Sequence, residues 1–193
     1  MSAPRRSQES RRAAMRARLL DATVACLAEH GYAGASTTVI CRRAGVSRGA
    51  QVHHFPTKAD LLVAAVEHVF AQRRAAFREA LHAADGGLVA AIRGMWAVVE
   101  GGSTQAWLEL VVAGRTDAVL RERVTQATER LRVAADEELA SLTHLGLHPD
   151  ALLLASAVMD GLVVQELAGL GAERRDRVLR LLEHLAPLSQ EPS

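Results

Sequence analysis

Thr37-Thr38-Val39-Ile40-Cys41-Arg42-Arg43-Ala44-Gly45-Val46-Ser47-Arg48-Gly49-Ala50-Gln51-Val52-His53-His54-Phe55 is the stretch that decides the fold. Thr37 or Thr38 can cap a short helix running to Ala44, because a hydroxyl satisfies N–H groups left over in a first turn. Gly45 can supply a positive φ, Val46 plugs the space between two helices, and Cys41 is small where they cross. Ser47 caps again, and a second helix runs from about Arg48 to His54 until Pro56 ends it. Two short helices joined by a glycine-containing turn of three or four residues make a helix-turn-helix, whose second helix enters the DNA major groove. A purely structural hairpin fits less well, because the seven surrounding arginines are expected to have no acidic partners nearby.

Outward from this stretch the pattern stays helical. From Arg11 to His30 the positions Met15, Leu19, Thr23, Cys26, Leu27 and His30 recur at helical spacing, and Gly31 follows as a stop. Beyond it, Lys58 to about His82 reads as one long helix, followed by helices over 88–100, 104–113, 117–143, 150–169 and 173–186, separated by glycines. The expected fold is all-α, with about nine helices and frayed ends at 1–10 and 187–193. Charge divides the chain in the same place. The total is +1, yet residues 1–58 hold ten basic and three acidic side chains while residues 59–193 hold thirteen and nineteen. A basic part facing nucleic acid therefore sits on an acidic body with another task.

The order and spacing of His30-Gly31-Tyr32, Thr37, Ala44-Gly45-Val46-Ser47, Gly49, His54-Phe55 and Lys58-Ala59-Asp60-Leu61-Leu62 resemble the TetR family of bacterial transcriptional regulators. Trp107-Leu108-Glu109-Leu110 and Arg115-Thr116-Asp117 add a weaker likeness to one branch of it. The resemblance implies a three-helix DNA-binding domain, expected at 1–57, and a helical ligand-binding and dimerisation domain, expected at 58–193. It also implies a repressor that binds a palindromic operator as a homodimer and is released by a small molecule. The alternative is a DNA-binding regulator or scaffold without a small-molecule effector.

Arg48, Gln51 and His53 are expected to face the groove, with Thr37, Thr38, Ser47, His54 and Lys58 positioning the backbone. Lys58 is the only lysine in the chain, and the family's matching lysine contacts phosphate. Two positions depart from the family pattern: Gln51 stands where an apolar residue is usual, and Val52 where a tyrosine often touches phosphate. Gln51 can pair bidentately with adenine, or bond within the domain; both readings are open. Arg5, Arg6, Arg11 and Arg12 form a basic arm that either follows the DNA backbone or minor groove or is merely solvated.

In the body, 150–169 is apolar around most of its circumference and 173–186 carries a stripe of Val178, Leu181, Leu182 and Leu185, so both need burial. By resemblance these two helices join a homodimer, which spaces two recognition helices by one DNA turn, about 34–36 Å. Phe70, Phe77, Met95, Trp96, Trp107 and Met159 read by residue type and spacing as plain core or as the lining of a cavity; the resemblance implies the cavity, for a mainly hydrophobic effector oriented by Glu109, Asp160 or Gln165. Asp160 interrupts an apolar helix, and a place at the dimer seam or in solvent is equally open to it.

No GxSxG elbow, glycine-rich phosphate loop or HExxH is present, so no enzyme and no cofactor are expected. His144 and His148 have metal-like spacing, but Gly146 and Pro149 make a loop there, so no metal is expected. Cys26 and Cys41 read as small core residues. Ser156 and Asp160 interrupt the best apolar run, Leu152–Val164, so no membrane is expected, and the place of action is the cytoplasm.

Overall fold

The computed structural model describes residues 3–83, 94, 96, 102–141 and 149–185, with a few side chains inside those ranges excepted. Every described element is a helix: α1 Ala3–Gly34, α2 Thr37–Ala44, α3 Arg48–His54, α4 Lys58–Ala83, α5 Gly102–Ala113, α6 Ala118–Ser141, α7 Pro149–Leu167 and α8 Ala172–Leu185. The helix expected over 88–100 lies outside the described residues except for Gly94 and Trp96, which are helical. No helix among the described residues is long and apolar enough to cross a membrane.

Local chemistry sets the boundaries. Glycine 45 adopts the left-handed conformation (φ 64°, ψ 38°) and ends α2, with its N–H on the Arg42 carbonyl and that of Val46 on the Cys41 carbonyl. This paired closure satisfies carbonyls that a helix end otherwise leaves without partners. Ser47 caps α3 as expected, its hydroxyl accepting from the Ala50 N–H at 3.2 Å. The α2 cap, however, is Ser36, which accepts from Val39 N–H, and Thr37 is the first helical residue. Of three consecutive hydroxyl side chains, the one with extended backbone caps. At α4, Thr57 and Asp60 bond each other's backbone N–H in a reciprocal capping box.

Residues 3–10 are helical rather than frayed, so α1 begins eight residues before its expected start. It is interrupted once, at Gly31, where φ is 66° and ψ is −179°. Of the expected inward positions, Leu19, Thr23, Cys26 and Leu27 are buried, whereas His30 is exposed beside Glu29.

Two packing units emerge: Met1–Phe70 with Gln105–Glu129, and Ala71–Thr104 with Arg130–Ser193. The first is built on Leu19, Leu27, Ile40, Leu61, Leu62, Leu110 and Leu120, all completely or almost completely buried. This grouping does not follow the expected line at 57/58, because the apolar stripe at the start of α4 shares the core of α1 to α3. In the second unit, Arg175 of α8 bonds Glu166 and Asp176 and lies over the Trp96 ring at 5.3 Å. Met159, Leu162 and Val163 of α7 are buried there. Leu153, Leu154, Val164 and Leu167 are exposed, as is Leu181 of α8, so a single chain does not bury α7 all round as its composition requires.

The two positive-φ turns carry different penalties. The Gly31 combination is essentially closed to other residues, at about 1–3 kcal/mol, and a Cβ there would stand 2.9 Å from Glu109 Oε2. A Cβ on Gly45 meets nothing within 4 Å, leaving only left-handed strain of about 1 kcal/mol. Chemical denaturation is expected to show Gly31→Ala as the more destabilising of the two; equal losses would contradict the greater backbone strain and tighter space assigned to Gly31.

Candidate DNA-binding surface

The solvent face of α3 presents Ser47, Arg48, Gly49, Val52 and His53. Arg48 donates to Thr37 Oγ1 at 2.7 Å and Thr38 Oγ1 at 3.4 Å, so three expected site residues form one cluster across α2 and α3. On the other flank Arg12 of α1 donates to His53 Nε2 at 3.2 Å. Guanidinium can only donate, so His53 Nε2 is the acceptor in this contact. A groove lined by Gln8, Arg11, Arg12, Met15, Ala50, His53 and His54 runs between α1 and α3. The helical start of α1 thus places Arg11 and Arg12 of the expected arm beside the recognition helix.

His54 is half-buried, and burial, reinforced by His53, Arg12 and Arg16, holds its pKa below the usual histidine value. Arg16 stands over the Phe55 ring at 5.4 Å. Arg43 corrects the expectation that the arginines here lack acidic partners, since it binds both carboxylate oxygens of Glu29 at 2.6 and 2.7 Å. That hydrogen bonding pulls the Glu29 carboxyl below its ordinary pKa.

Gln51 is only 2% exposed, and its Nε2 donates to the Phe55 carbonyl at 2.7 Å while the Phe55 N–H donates to the Gln51 carbonyl at 2.7 Å. The side chain points into the protein and closes the end of α3, so it is not presented to a base edge as the base-reading alternative required. Its place at a usually apolar position was the signal for an inward residue.

Lys58 is half-buried, with Nζ donating to the Tyr32 carbonyl at 3.0 Å and lying 4.3 Å from the Tyr32 ring centre. Burial lowers its pKa. Tyr32 is held on two further sides. Its N–H donates to Glu109 Oε2 at 2.9 Å, its hydroxyl to Asp117 at 3.5 Å, and Asp117 also caps α6 through the Leu120 N–H. Beside this group Arg123 of α6 pairs with Asp60 in the first turn of α4. Sequence reasoning missed this cluster, whose partners lie 26 to 85 residues apart.

Glu109, expected to orient an effector, is instead committed to the chain bend at Tyr32. Phe70 and Trp107 meet edge to face at 5.7 Å within the first unit. Trp96 and Met159 are buried and Asp160 is exposed in the second. The Phe77 side chain, Met95, His144 and His148 lie outside the described residues. Among the described residues no group of three or more His, Cys, Asp and Glu could hold a metal ion.

Comparison with known proteins agrees with this geometry. The profile of bacterial regulatory proteins of the tetR family matches residues 19–65, which span the core of α1 through the start of α4. The HTH-type transcriptional regulator CymR of Pseudomonas putida is 35% identical over 186 residues, covering 92% of each chain. The HTH-type transcriptional repressor AcnR of Corynebacterium diphtheriae is 33% identical over 182 residues, covering 91% of this chain and 93% of its own. A solved TetR-family structure from Streptomyces coelicolor superposes with a TM-score of 0.63 at 25% identity, over 90% of this chain and 98% of that one. The chain belongs to the TetR family and is a transcriptional regulator rather than an enzyme.

If Gln51 is a structural residue, Gln51→Ala removes a buried side chain and orphans the Phe55 carbonyl, at a cost of about 2–4 kcal/mol in denaturant unfolding. The volume-conserving Gln51→Leu is expected to cost less. Wild-type stability in Gln51→Ala would show that the side chain is free to serve elsewhere.

Proposed function

We propose that the protein is a repressor that binds a palindromic operator as a homodimer and leaves it when a small, mainly hydrophobic molecule occupies the 58–193 domain. The observation that carries the DNA reading is the Arg48–Thr37–Thr38 cluster on the exposed face of α3. Arginine is the side chain best matched to the O6 and N7 acceptors of guanine. Arg11, Arg12 and His54 border the same face and suit phosphate. Lys58 uses one of its three donors on Tyr32, which leaves others for phosphate. DNA binding is therefore assigned to 1–57, although its packing extends into α4 to α6.

Dimerisation is supported by the exposed Leu153, Leu154, Val164 and Leu167 of α7 and Leu181 of α8, apolar surface that a single chain leaves in water. The acidic body, carrying nineteen acidic against thirteen basic side chains, is repelled by DNA and leaves the basic face to dock. An effector needs only to favour one of two arrangements of the contacts at Tyr32 to shift operator affinity. These properties suit a regulator acting in the cytoplasm.

The test is fluorescence anisotropy of the full chain on an operator selected from random duplexes, over a range of salt and with added metabolites. Arg48→Ala is expected to lose about 1–3 kcal/mol of discrimination at one base pair. Arg12→Ala is expected to weaken all sequences alike and to reduce the salt slope by about 0.9 for each phosphate that Arg12 neutralises. Absence of a selected sequence would contradict operator binding, a monomer on DNA would contradict the dimer, and affinity indifferent to every metabolite would contradict effector release.

A further inference from the structure

Val52 is 48% exposed and is the one large hydrophobic side chain left exposed among the described residues of α1 to α4. A single surface valine elsewhere needs no explanation. This one stands in the middle of the recognition helix, one turn beyond Arg48 on the same flank, on a face otherwise made of Ser47, Arg48, Gly49 and His53.

An isopropyl group has neither donor nor acceptor, so it gains nothing from phosphate or from the nitrogen and oxygen atoms of a base edge. The apolar group exposed in the major groove is the C5 methyl of thymine. A β-branched side chain on a helix also holds essentially one χ1 rotamer, so its methyls are presented in one direction. Resting on the DNA-reading function proposed above, we infer that Val52 is a specificity-determining residue that reads a thymine methyl.

The position of the thymine follows from helix geometry. Four residues of α3 rise about 6 Å, under two base steps of about 3.4 Å. The thymine therefore lies one or two pairs from the guanine contacted by Arg48. Burying one methyl-sized group is worth about 0.8 kcal/mol, which is about fourfold in affinity per half-site.

The experiment uses the full-length protein on its selected operator, with each thymine of one half-site replaced in turn by deoxyuridine, which lacks only the methyl. Wild type is expected to lose about fourfold at one such position, next to the pair sensitive to Arg48→Ala. Val52→Ala is expected to bind the thymine and deoxyuridine operators equally, with an unchanged melting transition because the side chain is exposed. Val52→Thr keeps the branch and one methyl and is expected to retain part of the discrimination. Equal costs in wild type and Val52→Ala at every position would overturn the inference alone. Failure to select any sequence would overturn the DNA-reading function and the inference with it.

Discussion

The bend at Gly31–Tyr32 is the constraint on which the arrangement of the first packing unit depends. Rotation at Gly31 breaks the helical ladder, so the Tyr32 N–H and carbonyl need partners from elsewhere. Glu109 of α5 takes the N–H and Lys58 of α4 takes the carbonyl. The ring lies under the same lysine and the hydroxyl reaches Asp117 at the start of α6. One residue at the end of the first DNA-binding helix is thereby tied to three later helices. A change in any of the three can reach Lys58 through Tyr32.

The recognition helix is short, seven residues, and isolated helices of that length are not stable in water. Its rigidity comes from its ends. Ser47 fixes the start, the reciprocal Gln51 and Phe55 bonds fix the finish, and Arg48 ties the exposed flank to α2. Side chains that read bases have to be held before DNA arrives, because ordering them on binding subtracts from affinity. Arg12 and His53 extend that order to the flank beside α1.

The parts legible in the sequence are those governed by local rules. Gly45 in its left-handed turn, the Ser47 cap and the helix stop before Pro56 all follow from residue type and near neighbours, and so does the helix-turn-helix. The Ser36 cap is hidden among three adjacent hydroxyls, since choosing among them needs the backbone angle. Thr57 and Asp60, by contrast, have the spacing of a capping box and are readable from residue type alone. Glu109 could not be placed from sequence, because its partner at Tyr32 is 77 residues away and its acidic character suits a ligand site equally well. The exposed leucines of α7 mark the same limit: periodicity shows that a face must be covered and not what covers it.

The central claim is that Glu109 and Lys58 act on one another through Tyr32. A double-mutant cycle of Glu109→Ala and Lys58→Met in denaturant unfolding tests it directly. Residues sharing a partner are expected to couple by about 0.5 kcal/mol or more. Losses that add to within about 0.3 kcal/mol would show two independent contacts and would contradict the account.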